Sequence, residues 1–147
     1  MASPPVRKPS PPKPHATSVV EGFEALYREG IAHLQAQRYA EATTAFEAAL
    51  ANNPPPERQA AILFGLADAA RRVGLTRTAE TYYDRVLHLD PNRLEAVVSL
   101  AHLHSTTGRT RDAQSLLNEA LSTDPEAPEL WLALGDLMRQ SGDASGS

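Results

Sequence analysis

The sequence predicts an all-α fold built from a stack of helix pairs, with about three and a half copies of one unit. Three observations support this. Apolar residues recur at three- and four-residue steps, a helix–turn–helix unit repeats with a period of 34 residues, and each complete copy ends near a proline. Because one helix pair cannot bury its apolar face alone, neighbouring copies are expected to stack around a continuous core.

The unit is clearest between Leu94 and Ala127. The apolar stripe of its first helix is Val97, Leu100, Ala101 and Leu103. Gly108 ends that helix, because glycine enters the left-handed conformation without steric cost. Thr110 is placed to cap the second helix by accepting a hydrogen bond from a free backbone N–H. The apolar stripe of the second helix is Ala113, Leu116, Leu117, Ala120 and Leu121. Pro125 then ends the unit, since proline cannot continue a helix.

The same unit recurs on both sides of this segment. The complete copies span residues 23–56, 60–93 and 94–127, and a half copy spans residues 128–142. Three residues are inserted between the first and second copies, namely Glu57, Arg58 and Gln59. The half copy supplies a first helix that is not followed by a second one.

Small and large residues occupy fixed places in the copies. The small residues of the first helices are Gly30, Ala67, Ala101 and Gly135, and those of the second helices are Ala42, Ala79 and Ala113. A larger side chain there would overpack the contact between helices, which typically costs ~1–3 kcal/mol. The remaining space is expected to be filled by Phe46, Tyr83 and Leu117.

This pattern resembles the tetratricopeptide repeat, with small residues at the eighth and twentieth places, a large apolar residue at the twenty-fourth and proline at the thirty-second. The resemblance covers roughly Phe23 to Asp143. It implies a right-handed superhelical solenoid whose first helices line a concave groove. It also implies a non-enzymatic adaptor or scaffold that binds a partner protein or peptide in that groove.

The two ends of the chain differ from the repeats. Residues 1–18 contain six prolines and predict an extended or disordered tail, either a spacer or a ligand for a polyproline-reading domain. Ser18 and Glu21 form a capping-box pattern, which predicts an ordered domain from residue 19 to residue 143 and a first helix ending near Ala36. Residues 144–147 are small and polar and are expected to be disordered.

Composition limits the function classes. The formal net charge of −4 gives no reason to expect a nucleic-acid surface, and the absence of cysteine excludes disulfides, thiolate metal sites and a cysteine nucleophile. No apolar run approaches the ~18–20 residues of a membrane span, and no secretory signal precedes the repeats, so a cytoplasmic location is expected. Twelve arginines against two lysines, with abundant alanine, favour a bacterial source.

The resemblance places one row of apolar residues along the groove. Tyr27, Phe64, Val98 and Leu132 occupy the same place in successive copies. The other groove residues expected to contact a partner are Ile31, Asp68, Arg71, Arg72 and His102. Two alternatives remain: the apolar row could be the rim of the core, and the two arginines could serve only the helix end and its dipole.

One branch of the family holds the acidic C-terminal tails of cytosolic heat-shock chaperones with a clamp of lysine, asparagine and arginine. The matching places here hold Tyr27, Ile31, Gly65, Glu95 and Ser99. Because none of these supplies the charged or amide donors that bind a terminal carboxylate, that function is not expected.

The histidines and carboxylates do not predict catalysis or metal binding. His102 and His104 lie two residues apart, so on a helix they point in nearly opposite directions and cannot chelate one ion. His33 and His104 share the place where the family often packs an aromatic residue, which favours a structural role. No glycine-rich phosphate loop, nucleophile elbow or convergent acid–base pair is present, so no enzyme activity, cofactor or metal is expected.

The C-terminal helix is the unusual element. It resembles an internal first helix, with Gly135 and Met138 suited to a partner helix. It could itself be the cap, pair with a second copy to form a homodimer, or belong to a longer repeat protein. Alternative functions are therefore a secretion-type or assembly chaperone, or the recognition arm of a longer protein.

Overall fold

The computed structural model describes the backbone of residues 16–145 and the side chains of residues 22–142. Residues 16–145 form seven α-helices and no strand: α1 (Ala16–Gln35), α2 (Tyr39–Ala51), α3 (Pro56–Arg72), α4 (Thr76–Leu89), α5 (Leu94–Thr106), α6 (Thr110–Thr123) and α7 (Pro128–Ser145). Helices α1 and α2, α3 and α4, and α5 and α6 form three successive pairs, and α7 packs on α5 and α6. The predicted all-α solenoid of about three and a half units is confirmed.

The turns inside the three pairs share one geometry. Gly74 and Gly108 have φ of 86° and 81°, as their places in the repeat predict, and Gln37 holds the equivalent place in the first pair with φ of 63°. In each pair the next residue donates its N–H to a carbonyl five residues earlier, at 2.8–2.9 Å. This hydrogen bond satisfies a carbonyl that the helix end leaves free.

The predicted cap at Thr110 is wrong. Thr110 is the first residue of α6, and the capping position belongs to Arg109, which makes no side-chain capping bond. The Arg109 carbonyl already accepts the N–H of Ala113 at 3.1 Å. The turn at Gly108 therefore leads the chain into the helix one residue earlier than expected.

The ends of the helical domain also differ from the prediction. Helix α1 begins at Ala16, so Ser18 lies in its first turn rather than before it, and α1 ends at Gln35 rather than Ala36. Helix α7 continues to Ser145, into the segment expected to be disordered. Extending an existing helix costs far less than starting one, so weak local signals do not stop it. The rest of the Pro-rich segment, residues 1–15, lies outside the described residues.

The three residues inserted between the first two copies form part of a helix. Glu57, Arg58 and Gln59 belong to the first turn of α3, which begins at Pro56. Proline suits that position because its missing N–H would have no partner inside the helix. As a result α3 has 17 residues, whereas α5 has 13. The extra turn carries Arg58 to the side chains of α1.

The core consists of two clusters of buried residues. The larger one runs from α1 to α5 and contains Phe23, Phe46 and Tyr83, whereas the smaller one joins α5, α6 and α7 and contains no aromatic residue. The ring of Phe46 lies between two glycines. A Cβ atom at Gly30 would be 2.5 Å from this ring, and one at Gly65 would be 2.6 Å from it. Glycine is therefore required at both positions, of which the sequence predicted only Gly30.

Candidate peptide-binding groove

The groove face is defined here as the face of α1, α3, α5 and α7 that carries Tyr27, Phe64, Val98 and Leu132. At its N-terminal end Tyr27 is half-buried. The ring centroid of Tyr27 lies 5.9 Å from that of Phe46, and the guanidinium carbon of Arg58 lies 4.8 Å from the Tyr27 centroid. Arg58 also pairs with Glu24 of α1. Tyr27 is thus packed into the rim of the core and partly covered by a cation.

Phe64 repeats this arrangement in the second pair. It is half-buried, and its ring centroid lies 5.9 Å from that of Tyr83. The guanidinium carbon of Arg93 lies 5.4 Å from the Phe64 centroid. In both copies an arginine from the start of the next first helix approaches the ring, an attraction worth ~0.5–1 kcal/mol at exposed sites. Sequence reasoning missed these arginines, whose only signal is their position about 30 residues after each aromatic residue.

Three of the predicted polar groove residues, Asp68, Arg71 and Arg72, pair with one another on α3. Arg71 donates hydrogen bonds to an Asp68 carboxylate oxygen and, at 3.2 Å, to the Tyr83 hydroxyl. Arg72 lies 3.6 Å from the other Asp68 oxygen. Burial lowers the pKa of Arg71, but the hydrogen bonds to Asp68 and Tyr83 outweigh burial, so the pKa is raised. One carboxylate, that of Asp68, thus pairs with both arginines, an arrangement that neither predicted alternative included.

The C-terminal half of the groove is more open. A cavity of about 130 Å³ lies between α5 and α7, and the predicted residues Val98 and His102 are part of its lining. Val98 is half-buried and His102 is exposed. The other lining residues are Ala101, Ser105, Leu117, Ala133, Asp136, Leu137 and Gln140. The sequence predicted Val98 and His102 as groove residues but not the cavity, because the cavity volume depends on how α7 packs against α5.

The last residue of the apolar row is the most accessible. Leu132 is 67% exposed, and Asp136 one turn later pairs with Arg139. Ile31, in contrast, is half-buried and packs against the larger core cluster. Of the nine predicted groove residues, only Arg72, His102 and Leu132 are exposed, and the other six are half-buried.

The histidines predicted to be structural are both half-buried and lie beside carboxylates. His33 Nε2 is 3.8 Å from Glu29, and His104 Nδ1 is 3.9 Å from Glu80, which also pairs with Arg109. Among the residues that the structure describes, no three histidine or carboxylate side chains are grouped to hold a metal ion.

None of the helices between residues 16 and 145 is both long enough and apolar enough to cross a membrane.

Three solved structures share this fold with low sequence identity. The Arabidopsis OM64 TPR domain superposes with a TM-score of 0.71 at 17% identity, covering 83% of this chain and 98% of that domain. The first TPR of Spaghetti (RPAP3), solved with the HSP90 peptide SRMEEVD, gives a TM-score of 0.70 at 15% identity, covering 84% and 95%. MamA gives 0.69 at 14% identity, covering 86% and 74%.

No curated protein sequence matches the chain. Models of protein families, in contrast, agree with these superpositions. Two models of the tetratricopeptide repeat match it, one over residues 27–96 and the other over residues 70–137. The matches overlap and together run from α1 into α7, across all three helix pairs. This chain therefore belongs to the tetratricopeptide repeat family.

Proposed function

We propose that this chain is a non-catalytic protein-interaction module, an adaptor or scaffold that binds a segment of a partner protein in the C-terminal half of its groove. The observation that carries the proposal is the cavity of about 130 Å³ between α5 and α7. The cavity lies on the groove face, and His102 in its lining is exposed. Helix α7, which forms one side of the cavity, also carries the exposed Leu132. An open apolar site flanked by polar groups is the usual character of a peptide-binding surface.

The lining of the cavity indicates the chemistry of the bound segment. Val98, Ala101, Leu117 and Leu137 make its floor apolar, and its volume suits one side chain of modest size. His102, Ser105, Asp136 and Gln140 supply hydrogen-bonding groups at its edge. These groups could bind the backbone of a peptide whose apolar side chain enters the cavity, in the way that anchor residues fix a peptide on a groove.

An acidic C-terminal tail is not the expected ligand. The Spaghetti domain was solved with an HSP90 peptide that carries three carboxylate side chains in its EEVD segment. In this chain, Gly65 and Glu95 occupy two of the places that would supply donors, and Gly65 lies against Phe46. Asp68 pairs with both Arg71 and Arg72, which lowers their attraction for a further carboxylate. These positions therefore lack the set of free donors that would bind a terminal carboxylate.

The proposal is tested by binding to partners captured from a lysate, compared between the native chain and a groove variant. The groove variant combines His102→Ala with Leu132→Glu, and the matched control is Leu75→Glu at the exposed turn between α3 and α4. All three positions are exposed, so helical content and thermal stability should stay unchanged. Tyr27 and Phe64 are poorer choices, because charge there would disrupt their packing against Phe46 and Tyr83.

We expect a partner that the native chain and the Leu75→Glu control retain equally and the groove variant loses. Equal recovery by the groove variant would contradict binding in this groove.

A role in assembly is the second candidate function. It is favoured by the exposure of Trp131 and Met138 on a face of α7 separate from the cavity.

A further inference from the structure

Helix α7 has an apolar face distinct from the groove residues Leu132 and Asp136. Trp131 is 54% exposed and Met138 is 59% exposed. Gly135 lies between them in the sequence and is also exposed, while Leu134 is half-buried. Residues 131, 134, 135 and 138 follow three- and four-residue steps, so they share one side of the helix. This set is called the α7 open face.

The same places in the earlier first helices are covered by a second helix. Thirty-four residues before Trp131 and Gly135 lie Val97 and Ala101 of α5, and both are buried in the cluster that includes α6. In α3 the equivalent residues are Leu63 and Ala67, which are buried in the cluster that includes α4. The α7 open face therefore continues an interface that the chain builds at least twice. No described residue covers Gly135.

The geometry at the glycine shows what kind of side chain fits. In the first pair Gly30 holds the place of Gly135, and the Phe46 ring of α2 lies so close that a Cβ atom at Gly30 would be 2.5 Å from it. At Gly135 a Cβ atom would meet no described atom within 4 Å. The notch at Gly135 is thus open on the side where a bulky side chain of a second helix packs in the first pair.

We propose that the α7 open face binds one amphipathic helix of another protein, packed on α7 as α2 packs on α1. The bound helix would carry a large apolar residue for the notch at Gly135 and a small residue four positions earlier. This is the pattern of all three second helices in the chain: Ala42 with Phe46, Ala79 with Tyr83, and Ala113 with Leu117. The small residue permits close approach of the two helices, and the large residue fills the notch.

The second helices of another copy of this chain are not free to serve as the bound helix. The large residues Phe46, Tyr83 and Leu117 are all buried within their own copy. In α7 itself the same spacing joins Ala133 to Leu137, and Leu137 is also buried.

The Trp131 indole N–H donates a hydrogen bond to the Pro125 carbonyl at 2.6 Å, which holds the ring at the edge of the open face.

The only tryptophan of the chain lies on the proposed surface, so its fluorescence reports binding directly. The probe is a synthetic peptide of residues 38–52 with the substitution Ala51→Lys, whose amine forms a lactam with the Glu47 carboxyl to keep the peptide helical. Positions 47 and 51 are both exposed in α2. The control peptide carries Phe46→Ala. The full chain and its variants Gly135→Ala and Gly135→Leu are each titrated with both peptides. A Cβ atom at position 135 meets no described atom within 4 Å in the free protein.

The proposal predicts a saturable change of Trp131 emission with the native peptide and at least tenfold weaker binding of the Phe46→Ala peptide. Gly135→Ala should weaken binding of the native peptide, because a Cβ atom at the equivalent Gly30 would be 2.5 Å from the Phe46 ring. Gly135→Leu should abolish binding by filling the notch. The groove variant of His102 and Leu132 should bind the peptide normally, which separates this surface from the groove.

Several results would overturn the proposal. These are no response up to millimolar peptide, equal responses to the two peptides, or normal binding by Gly135→Leu. A change of emission and mass with protein concentration alone, removed by Gly135→Leu, would assign the open face to a second copy of the chain instead.

Discussion

At Gly30 and Gly65 the absence of a side chain is required by the ring of Phe46, which lies between them. At Gly135 the same residue type faces open space. Gly74 and Gly108 serve a third purpose, since their positive φ values of 86° and 81° belong to a conformation that favours glycine. Glycine thus occupies three kinds of environment in this chain, and substitution in each should change the free energy of unfolding differently.

We expect Gly65→Ala to lower the free energy of unfolding. The new Cβ would be 2.6 Å from the Phe46 ring, which cannot withdraw because Gly30 confines it from the other side. Overpacking of this kind costs ~1–3 kcal/mol, against ~1 kcal/mol gained from helix propensity. The matched control is Gly135→Ala, which should raise stability by ~0.5–1 kcal/mol because only propensity changes. Chemical denaturation measures both, and stabilisation by Gly65→Ala would contradict the packing described.

Tyr83 makes stability sensitive to alkaline pH. Burial raises the pKa of Tyr83 above its ordinary value of 10.0, and the nearby Arg71 opposes this only in part. The neutral phenol is favoured in the folded state, so its contribution is fully present below pH 10.0 and is lost as pH rises through the raised pKa. Denaturation of the native chain and Tyr83→Phe between neutral pH and pH ~11.5 tests this. The variant should lose less stability over that range, and parallel curves would exclude Tyr83 as the cause.

At the scale of elements, the extra turn of α3 has a definable role. It carries Arg58 to Glu24 and to the ring of Tyr27, so three inserted residues connect the first two repeats. Helix α7 shows the opposite situation, because one of its sides is left exposed at Trp131 and Met138. Helices α3 and α7 both follow the repeat pattern, but the extra turn of α3 contacts α1, whereas one side of α7 is exposed.

We expect Arg58→Ala to cost at most ~1 kcal/mol of stability, because exposed ion pairs and cation–π contacts are each weak. The side chains of Arg58 and Glu24 are 33% and 32% exposed, so solvent screens their attraction. A double-mutant cycle with Glu24→Gln, measured by denaturation, gives the coupling between them. Arg58→Lys is the matched control, which keeps the charge but loses the planar contact with Tyr27. A coupling well above 1 kcal/mol would show that this pair is much less screened than its exposure indicates.

At the scale of the whole molecule, the two core clusters differ in strength. The larger cluster contains sixteen buried residues with three aromatic rings, and the smaller contains eight with none. A surface cavity of about 470 Å³, lined by Leu87, Leu94 and Leu116 among others, lies between the C-terminal parts of α4 and α6. In repeat proteins each unit is stabilised mainly by its nearest neighbours, so such differences are felt locally.

We therefore expect the third pair and α7 to open before the first two pairs. Amide hydrogen exchange should be faster in α6 and α7 than in α3 and α4, which surround the aromatic core. Leu117→Ala should accelerate exchange in α5, α6 and α7 and leave α1 and α2 nearly unchanged. Uniform exchange across all seven helices would instead indicate a single cooperative unit.

The sequence by itself determined the number, order and pairing of the helices. The signals are local ones: apolar spacing, the turn residues Gly74 and Gly108, and the prolines that close each copy. Each helix begins and ends according to signals within its own segment. Repetition made these signals reliable, and it also located Tyr27, Phe64, Val98 and Leu132 on one row. Termini were less predictable, because α1 and α7 extend beyond the segments where the pattern is strong.

Only the tertiary structure decided which of these equivalent positions are open. Tyr27 and Phe64 are packed against aromatic residues and approached by arginines, whereas Leu132 in the same row is exposed. Likewise Gly30 is filled by Phe46 and Gly135 is not. The repeat pattern assigns each residue to a face of its helix, but exposure depends on which neighbours lie against that face. Those neighbours are distant in sequence and differ between the middle of the stack and its end.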